Sequence, residues 1–499
     1  MRIPFPERVR INRVAIFAAV LFAIQQAEGT DLFFSLGCVA FILIAALAFN
    51  IGGGLTRTAG VYVFFYSMLV VIVGITYKAC LGEPAQSNLL APRRDIEVYV
   101  GGITSMLVAV ILSRRFSRKT ALLQNVLKDS QMYRASVGCM AFGTAGGFII
   151  ALLGAGGAAL ISAFTQLNQL IPLGIIIGVM YEIRRSGGTR SVNLPILVFG
   201  VYCFTFYGLL AYSKQGMLLP VTCWALPVCA MRYRLSRGQV IGLLLGVFIL
   251  FYYLVPYSQY GRQFIVPGQS FTERLDTSVR LLEHPEKTRK EYNAIMASAI
   301  NGYYNSSQGF WDRLQFISVD DGLVNVTDQK REFGLLPITA SIANAVPHFI
   351  WPNKPSYLFG NMYAHEIGGI SENDFTTGIS FSPTSEAYHL KKWSGIFVLA
   401  PLVWMTLFIL FDSLFGDLRT SPWGLLVIAI LSHTAPEGMI TGLIAVMTFG
   451  TEALVFCAFF ATWIAPHFAV LVLGPQRQMT MAPPTWSRTH PRRPIREVR

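Results

Sequence analysis

The chain has 499 residues, of which 53% are hydrophobic and 13% are charged, and its mean hydropathy is +0.50. This composition excludes an ordinary soluble globular protein and indicates a chain that lies largely within a bilayer. The net charge of +13 does not indicate nucleic-acid binding, because the basic residues are scattered among short loops between apolar runs.

Apolar runs of membrane-spanning length recur along the chain, and each crossing needs roughly 20 residues. We count about twelve candidate spans. They lie at 14–27, 32–51, 60–77, 97–113, 136–155, 160–181, 193–212, 215–231, 239–257, 395–412, 423–441 and 445–465. The sequence therefore predicts an all-α polytopic membrane protein with about twelve transmembrane helices.

One loop is much longer than the others and divides the predicted topology. Helices 1–9 occupy residues 1–257, a large α-rich external loop follows at 258–394, and helices 10–12 occupy 395–465. The loop is rich in aromatic and aliphatic residues, so we expect it to fold into a cap on the bundle. Short helices are predicted there at 273–299, 308–318 and 332–346. The Pro- and Arg-rich tail 466–499 is expected to be disordered.

The arginines and lysines orient the predicted helices. They concentrate in the N-terminus, in the loops at 114–134, 182–192 and 232–238, and in the C-terminal tail. An even number of spans places all five regions on one side, which the positive-inside rule makes the cytoplasmic side. Lys78, Arg93 and Arg94 fall on the other side. Both termini are therefore predicted to be cytoplasmic, and the long loop to be external.

The external loop offers cations and one carboxylate near the membrane surface. Arg262 follows the ninth span, Arg313 lies in GFWDRLQFI, and Lys354 stands between two prolines. Proline restricts its own φ and its preceding residue, so Lys354 is expected on a stiff turn. Glu386 precedes the tenth span. The histidines of the loop match no common metal spacing, and no HExxH motif is present, so no metal site is predicted.

Two stretches of this loop resemble a known family. VPHFIWPNKP (346–355) is similar to the I-P-R-x-L-x-P-D-K-P stretch of bacterial polysaccharide repeat-unit polymerases, the Wzy-type O-antigen and exopolysaccharide polymerase group. SEAYHLKKWSGIF (385–397) resembles their G-E-x-Y-x-N-F-G-x-x-G entry into the next helix, and WDRLQF resembles an upstream segment. The likeness covers 309–395. His348 replaces the usual arginine, Asn353 the usual aspartate, and Ser385 the usual glycine.

The resemblance implies a glycosyltransferase of the bacterial inner membrane. It would join oligosaccharide repeat units carried on polyprenyl diphosphate, such as undecaprenyl diphosphate, by inverting, metal-independent transfer at the outer face. Arg262, Arg313 and Lys354 would bind the diphosphate, and Glu386 or His348 would act as base or orient the acceptor. The expected partners are the lipid-linked oligosaccharide, membrane lipids and a chain-length regulator. No cofactor and no nucleic acid are expected.

Three other functions remain open at this point. A ligase of similar shape would transfer finished glycan to lipid A or to protein. An oligosaccharyltransferase-like enzyme would carry a catalytic aspartate in its first external loop, but here that loop, Glu28–Asp31, is minimal. A transporter would show repeated halves and ionisable residues within the membrane, for which Glu452, His433 and Glu437 are candidates.

Overall fold

The computed structural model describes residues 1–124, 126–153, 169–265, 269–297, 302–346, 351, 353–355 and 357–473. Within these ranges the chain forms helices, turns and no strand, so the predicted all-α class is confirmed for the described residues. The helices are α1 Ile11–Ala27, α2 Leu32–Ile51, α3 Thr58–Cys80, α4 Pro92–Phe116, α5 Met132–Leu153, α6 Leu170–Arg185, α7 Leu194–Leu209, α8 Lys214–Ala230, α9 Arg237–Phe264, α10 Phe271–Glu283, α11 Pro285–Ala297, α12 Ile317–Gln329, α13 Leu336–Asn344, α14 Phe359–Glu366, α15 Pro383–Phe415, α16 Pro422–Glu437 and α17 Met439–Leu471.

Six of these helices are long and apolar enough to cross a membrane, namely α2, α3, α4, α9, α15 and α17. One buried apolar cluster connects the bundle, with Phe41, Tyr62, Trp404 and Trp423 among its largest members. The remaining bundle helices are shorter, and the count of about twelve spans stays a prediction. Part of the predicted sixth span, 160–181, lies outside the described residues.

The loops of the bundle gather at two opposite ends. At one end, the N-terminal segment 1–10 hydrogen-bonds to the loops at 52–57 and 231–236. At the other end, the loop at 81–91 hydrogen-bonds to the turn at 28–31 and to the long loop between α9 and α15. We call this long loop, residues 265–382, the cap, and its side of the bundle the cap end. Which of the two ends faces the cytoplasm stays a prediction from the arginine distribution.

The cap is helical, but its helices differ in extent from those predicted. One helix was predicted at 273–299, but the described part, to residue 297, forms two helices, α10 and α11, because His284 leaves helical geometry immediately before Pro285. The predicted helix at 308–318 is only the 3₁₀ turn Trp311–Arg313, followed by α12. A small apolar core of the cap, including Leu323, Phe359, Tyr363 and Phe381, packs against Met439 at the start of α17.

Two adjacent buried aspartates fasten the cap to the bundle. Asp321 accepts hydrogen bonds from the backbone N–H groups of Leu90 and Ala91, at 2.8–2.9 Å. Asp320 accepts from the Tyr99 hydroxyl at 2.9 Å and from the Ser382 N–H at 2.9 Å. A buried carboxylate without such donors would be strongly unfavourable. These bonds fix α12 over the bundle and so determine where the preceding turn, with Arg313, is held.

Candidate functional site

Arg262 and Arg313, both selected from the sequence, lie close together at the cap end. Arg262 begins the last turn of α9, and Arg313 ends the 3₁₀ turn of the cap. A third cation, Lys214, is the first residue of α8. The positive charges of Arg262 and Arg313 both act on the Lys214 ammonium, and that of Arg313 acts on Arg262. We call Lys214, Arg262 and Arg313 the cation cluster.

The turn that carries Arg313 is held by aromatic stacking against two helices of the bundle. Trp311 stacks on Tyr77 of α3, with ring centroids 4.4 Å apart and planes within 10°. Phe310 stacks on Phe251 of α9, at 3.7 Å between centroids. Gly309, with φ +60°, begins this turn in the left-handed region that glycine tolerates. Because α9 also carries Arg262, these contacts fix the two arginines relative to each other.

Arg262 and Lys214 are joined by a strained turn at Tyr212. Tyr212 has φ +47°, which is uncommon for a residue with a bulky side chain. Its carbonyl accepts hydrogen bonds from Arg262 Nε at 3.1 Å and from Ser258 Oγ at 2.7 Å. Ser213 then caps α8 by accepting the Gly216 N–H at 3.1 Å. Backbone strain of this kind persists only where surrounding contacts enforce it, and it concentrates at functional sites.

The positive charges of the cation cluster are only partly offset, by the charge of Glu437 acting on Lys214 and by the interaction of Asp312 with Arg313. Among the described residues, no carboxylate lies within ion-pair distance of any of its three members. Burial, reinforced by the positive charges of Arg313 and Arg262, lowers the pKa of Lys214, which precedes the predicted span 215–231, to about 8. Lys214 also stands at the N-terminus of α8, where the helix dipole adds positive potential. The arrangement is therefore suited to bind an anion.

A cavity of about 340 Å³ lies next to the cluster, between α6, α7, α8 and α16. Ser213 and Gln215, on either side of Lys214, form part of its wall. Polar and apolar groups alternate around it: the wall comprises Gln169, Ile171, Pro172, Cys203, Tyr207, Ser213, Gln215, Gly216, Leu219, Leu426, Ala429 and Ile430. Its volume is within the range of small-molecule sites, about 300–1,000 Å³.

An ion pair from α16 borders the same region. His433 Nε2 lies 2.7 Å from Glu437 Oε1, one turn apart at the end of the helix. The charge of Glu437 acts on Lys214, so the pair lies near the cation cluster, although beyond ion-pair distance from Lys214. From the sequence, both residues were considered only as ionisable groups of a possible transporter.

Glu386, expected from the resemblance to act in chemistry, is fully buried in the first turn of α15. Its Oε2 accepts the N–H groups of Ile440 and Thr441, the latter at 3.0 Å. Its Oε1 accepts the hydroxyls of Thr441 at 3.0 Å and Tyr363 at 3.2 Å. These are the free N–H groups at the start of α17, which a carboxylate stabilises. In this structure Glu386 anchors the start of α17 to the first turn of α15 and to Tyr363 of the cap.

Lys354, also selected from the sequence, does not join the cluster. The Lys354 ammonium donates to the carbonyls of Asn344 at 2.8 Å and Val346 at 2.7 Å, at the end of α13. Lys354 is not among the charged residues that act on Lys214 or on Arg262. Lys354 therefore caps a helix C-terminus, as cations commonly do. His348 lies outside the described residues.

No family model matches this chain, and neither a curated protein nor a solved structure is significantly similar to it. The site therefore has to be interpreted from its own geometry. Sequence reasoning missed Lys214 as a site residue, although one signal was present. A lysine at the first position of an apolar helix, directly after a Tyr-Ser turn, places a cation against the positive end of the helix dipole without obvious benefit to folding.

Proposed function

We propose that this chain is a membrane glycosyltransferase that polymerises oligosaccharide repeat units carried on polyprenyl diphosphate. The observation that carries the proposal is the convergence of Arg262, Arg313 and Lys214 at the cap end of an apolar bundle, with no carboxylate of the described residues in ion-pair contact with them. An anionic group at the boundary of such a bundle is what a lipid diphosphate provides. The resemblance of 309–395 to polysaccharide polymerases supports the same substrate class.

The three cations are suited to different parts of a diphosphate. A guanidinium presents a planar fork that binds two phosphate oxygens together, whereas an ammonium acts as a compact point charge. The stacked turn holds Arg313 in place before substrate binds, so little reorganisation is needed when charge develops on the leaving group. Removing one preorganised donor of this kind typically lowers the rate by about 10²- to 10³-fold.

In the proposed reaction, an acceptor hydroxyl oxygen attacks the anomeric carbon of the donor sugar from the face opposite the diphosphate. The new C–O bond forms as the bond to the diphosphate oxygen breaks, and the anomeric configuration inverts. The electron pair of that bond remains on the diphosphate, where the cation cluster stabilises it. A base takes the proton of the acceptor hydroxyl group. Because protein cations supply the positive charge, the step as written requires no metal ion.

The proposal is tested with purified protein and polyprenyl-diphosphate-linked repeat units, with product read as a ladder of lengths. Arg313→Ala should lower the rate of ladder formation by about 10²- to 10³-fold. Arg313→Lys should also lose activity, because lysine keeps the charge and lacks the fork. Arg331→Ala is the matched control, since Arg331 is an exposed arginine on the same cap.

Three outcomes decide the matter. A wild-type ladder that is lost in the Arg313 variants and retained in Arg331→Ala supports the proposal. A ladder that persists at the normal rate in Arg313→Ala removes the cation cluster from the reaction. Transfer of glycan to lipid A or to protein by the wild-type chain, without a ladder, replaces polymerase with ligase.

A further inference from the structure

We propose that His433 is the general base of this reaction and that Glu437 holds its imidazole in the required tautomer. The inference rests on the proposed function and adds a residue that lies outside the region resembling polysaccharide polymerases. It starts from the 2.7 Å contact between His433 Nε2 and Glu437 Oε1. A carboxylate at this distance accepts the Nε2–H proton and leaves Nδ1 as the unprotonated nitrogen.

His433 has the exposure that a base needs. Its side chain is 52% exposed, whereas that of Glu437 is 29% exposed. Among the residues that the structure describes, none hydrogen-bonds to Nδ1. The nitrogen that would accept a proton is therefore free for substrate, while its carboxylate partner is more protected. In other group-transfer sites, a base likewise contacts the attacking group on one side and an orienting carboxylate on the other.

The position of His433 fits a role between donor and acceptor. Ala429 and Ile430, which line the cavity, lie four and three residues before His433 and thus on the same face of α16. Ser213 and Gln215 of the same cavity flank Lys214. One rim of the cavity therefore leads to the imidazole and another to the cation cluster. A sugar in the cavity would bring its hydroxyl groups to the imidazole while the diphosphate contacts the cations.

The backbone that follows the pair is fixed by contacts already described. Met439, two residues after Glu437, has φ +54°, which is unfavourable for a residue with a Cβ. The Glu386 carboxylate holds the next two N–H groups, those of Ile440 and Thr441. These hydrogen bonds fix the direction in which the end of α16 points. Glu386 is thus a positioning residue for His433, although it does not reach the substrate.

Other candidate bases of the described cap region are less suitable. Glu386 is fully buried and accepts four hydrogen bonds. His389 is 1% exposed, and its Nδ1 bonds to Thr327 Oγ1 at 2.8 Å. Neither can meet an acceptor hydroxyl without a rearrangement of the buried core. In the step above, the hydroxyl proton passes to His433 Nδ1, and the resulting imidazolium releases it to water after the diphosphate has left.

The test compares His433→Ala, His433→Gln and Glu437→Gln in the purified ladder reaction. We expect His433→Ala and His433→Gln to lower kcat by about 10²- to 10⁴-fold with little change in donor binding. Glu437→Gln should also lower kcat, because an amide group no longer enforces the Nε2–H tautomer. His284→Gln, which alters an exposed histidine of the cap, is the matched control. Free imidazole should partly restore His433→Ala, since the half-exposed site leaves room for it.

The outcomes separate this inference from the function on which it rests. Absence of a ladder from the wild-type protein overturns the proposed function. A wild-type ladder with unchanged kcat in His433→Gln overturns the inference alone. Loss of kcat together with donor binding, or loss that imidazole does not restore in a folded His433→Ala protein, assigns His433 to structure and overturns its role as base. If His433→Gln does not accumulate in the membrane, Glu437→Gln decides, and an unchanged kcat there contradicts the pair.

Discussion

Substitutions of Glu386 distinguish a role in anchoring α17 from a role in the proposed reaction more clearly than any other substitution in this chain. Its carboxylate accepts four hydrogen bonds, two from backbone N–H groups of α17 and two from the hydroxyls of Thr441 and Tyr363. In Glu386→Gln the amide oxygen can retain both N–H donors. The amide NH₂ then faces the two hydroxyls, which can rotate to accept. The two hydroxyls then lose Glu386 as their acceptor, whereas both backbone N–H groups keep theirs.

The magnitudes follow from this geometry. Hydrogen bonds to a charged group are worth about 1.5–3 kcal/mol and neutral ones about 0.5–1.5 kcal/mol, so losing the charge costs roughly 1 kcal/mol per bond. Removing a buried charge returns several kcal/mol of desolvation penalty. We therefore expect Glu386→Gln to change the free energy of unfolding by less than about 2 kcal/mol. Glu386→Ala leaves two N–H groups unpaired, at about 1–3 kcal/mol each, and should be destabilising by at least about 3 kcal/mol with its cavity.

The assay measures three quantities on each purified variant: the temperature of unfolding, the affinity for the lipid-linked donor and the rate of ladder formation. An anchoring role predicts that Glu386→Ala unfolds well below the wild type and that Glu386→Gln stays close to it. The Gln variant should keep donor affinity and lose less than about tenfold in rate. The reasoning is refuted if Glu386→Gln is as stable as the wild type, binds donor normally and loses about 10²- to 10⁴-fold in rate, the loss expected of a general base.

Three further predictions follow from the site and the topology. Donor affinity should fall as pH rises through about 8, because Lys214 loses its charge near its lowered pKa, and Lys214→Arg should abolish this decline. Gly261→Ala should lower the unfolding temperature and the activity, because the new Cβ would lie 2.2 Å from the Tyr212 ring and overpacking costs about 1–3 kcal/mol. Gly242→Ala is the control: on the same helix, the new Cβ faces open space, so both quantities should stay unchanged. In a cysteine-free background, a cysteine at Ser306 should react with an impermeant reagent from outside intact spheroplasts, and one at Ser487 should not.

The sequence was informative where structure depends on local pattern. Apolar runs of the right length predict helices because the backbone of a spanning segment must satisfy its own hydrogen bonds. The described helices of the bundle lie along those runs. Arg262 could be selected because it follows the predicted ninth span, and Arg313 because it lies in the amphipathic segment GFWDRLQFI. Their proximity is seen only in the structure, where the positive charge of Arg313 acts on Arg262.

The local sequence pattern could not predict contacts between distant parts of the chain. The ninth and tenth spans were predicted to end at 257 and to begin at 395, whereas α9 continues to Phe264 and α15 begins at Pro383. A helix does begin at Pro383, because Ser382 caps it and Asp320 holds Ser382 from 62 residues earlier, but non-helical backbone at Lys391 and Lys392 interrupts it before the apolar part. The partners of Glu386 lie 54 and 55 residues downstream. No local signal distinguishes a buried anchoring carboxylate from a catalytic one.

The repulsion among the three positive charges of the cation cluster has a thermodynamic consequence. Lys214, Arg262 and Arg313 repel one another, and each comes from a different segment of the chain, so the empty site opposes assembly of the fold that creates it. An anion that binds only the folded state reverses this effect and stabilises the protein by about 2.7 kcal/mol at a concentration one hundred times its Kd. If the anion is the lipid diphosphate of the proposed function, occupancy of the site and persistence of the folded chain are linked, and a cell depleted of that lipid should hold less of the folded protein.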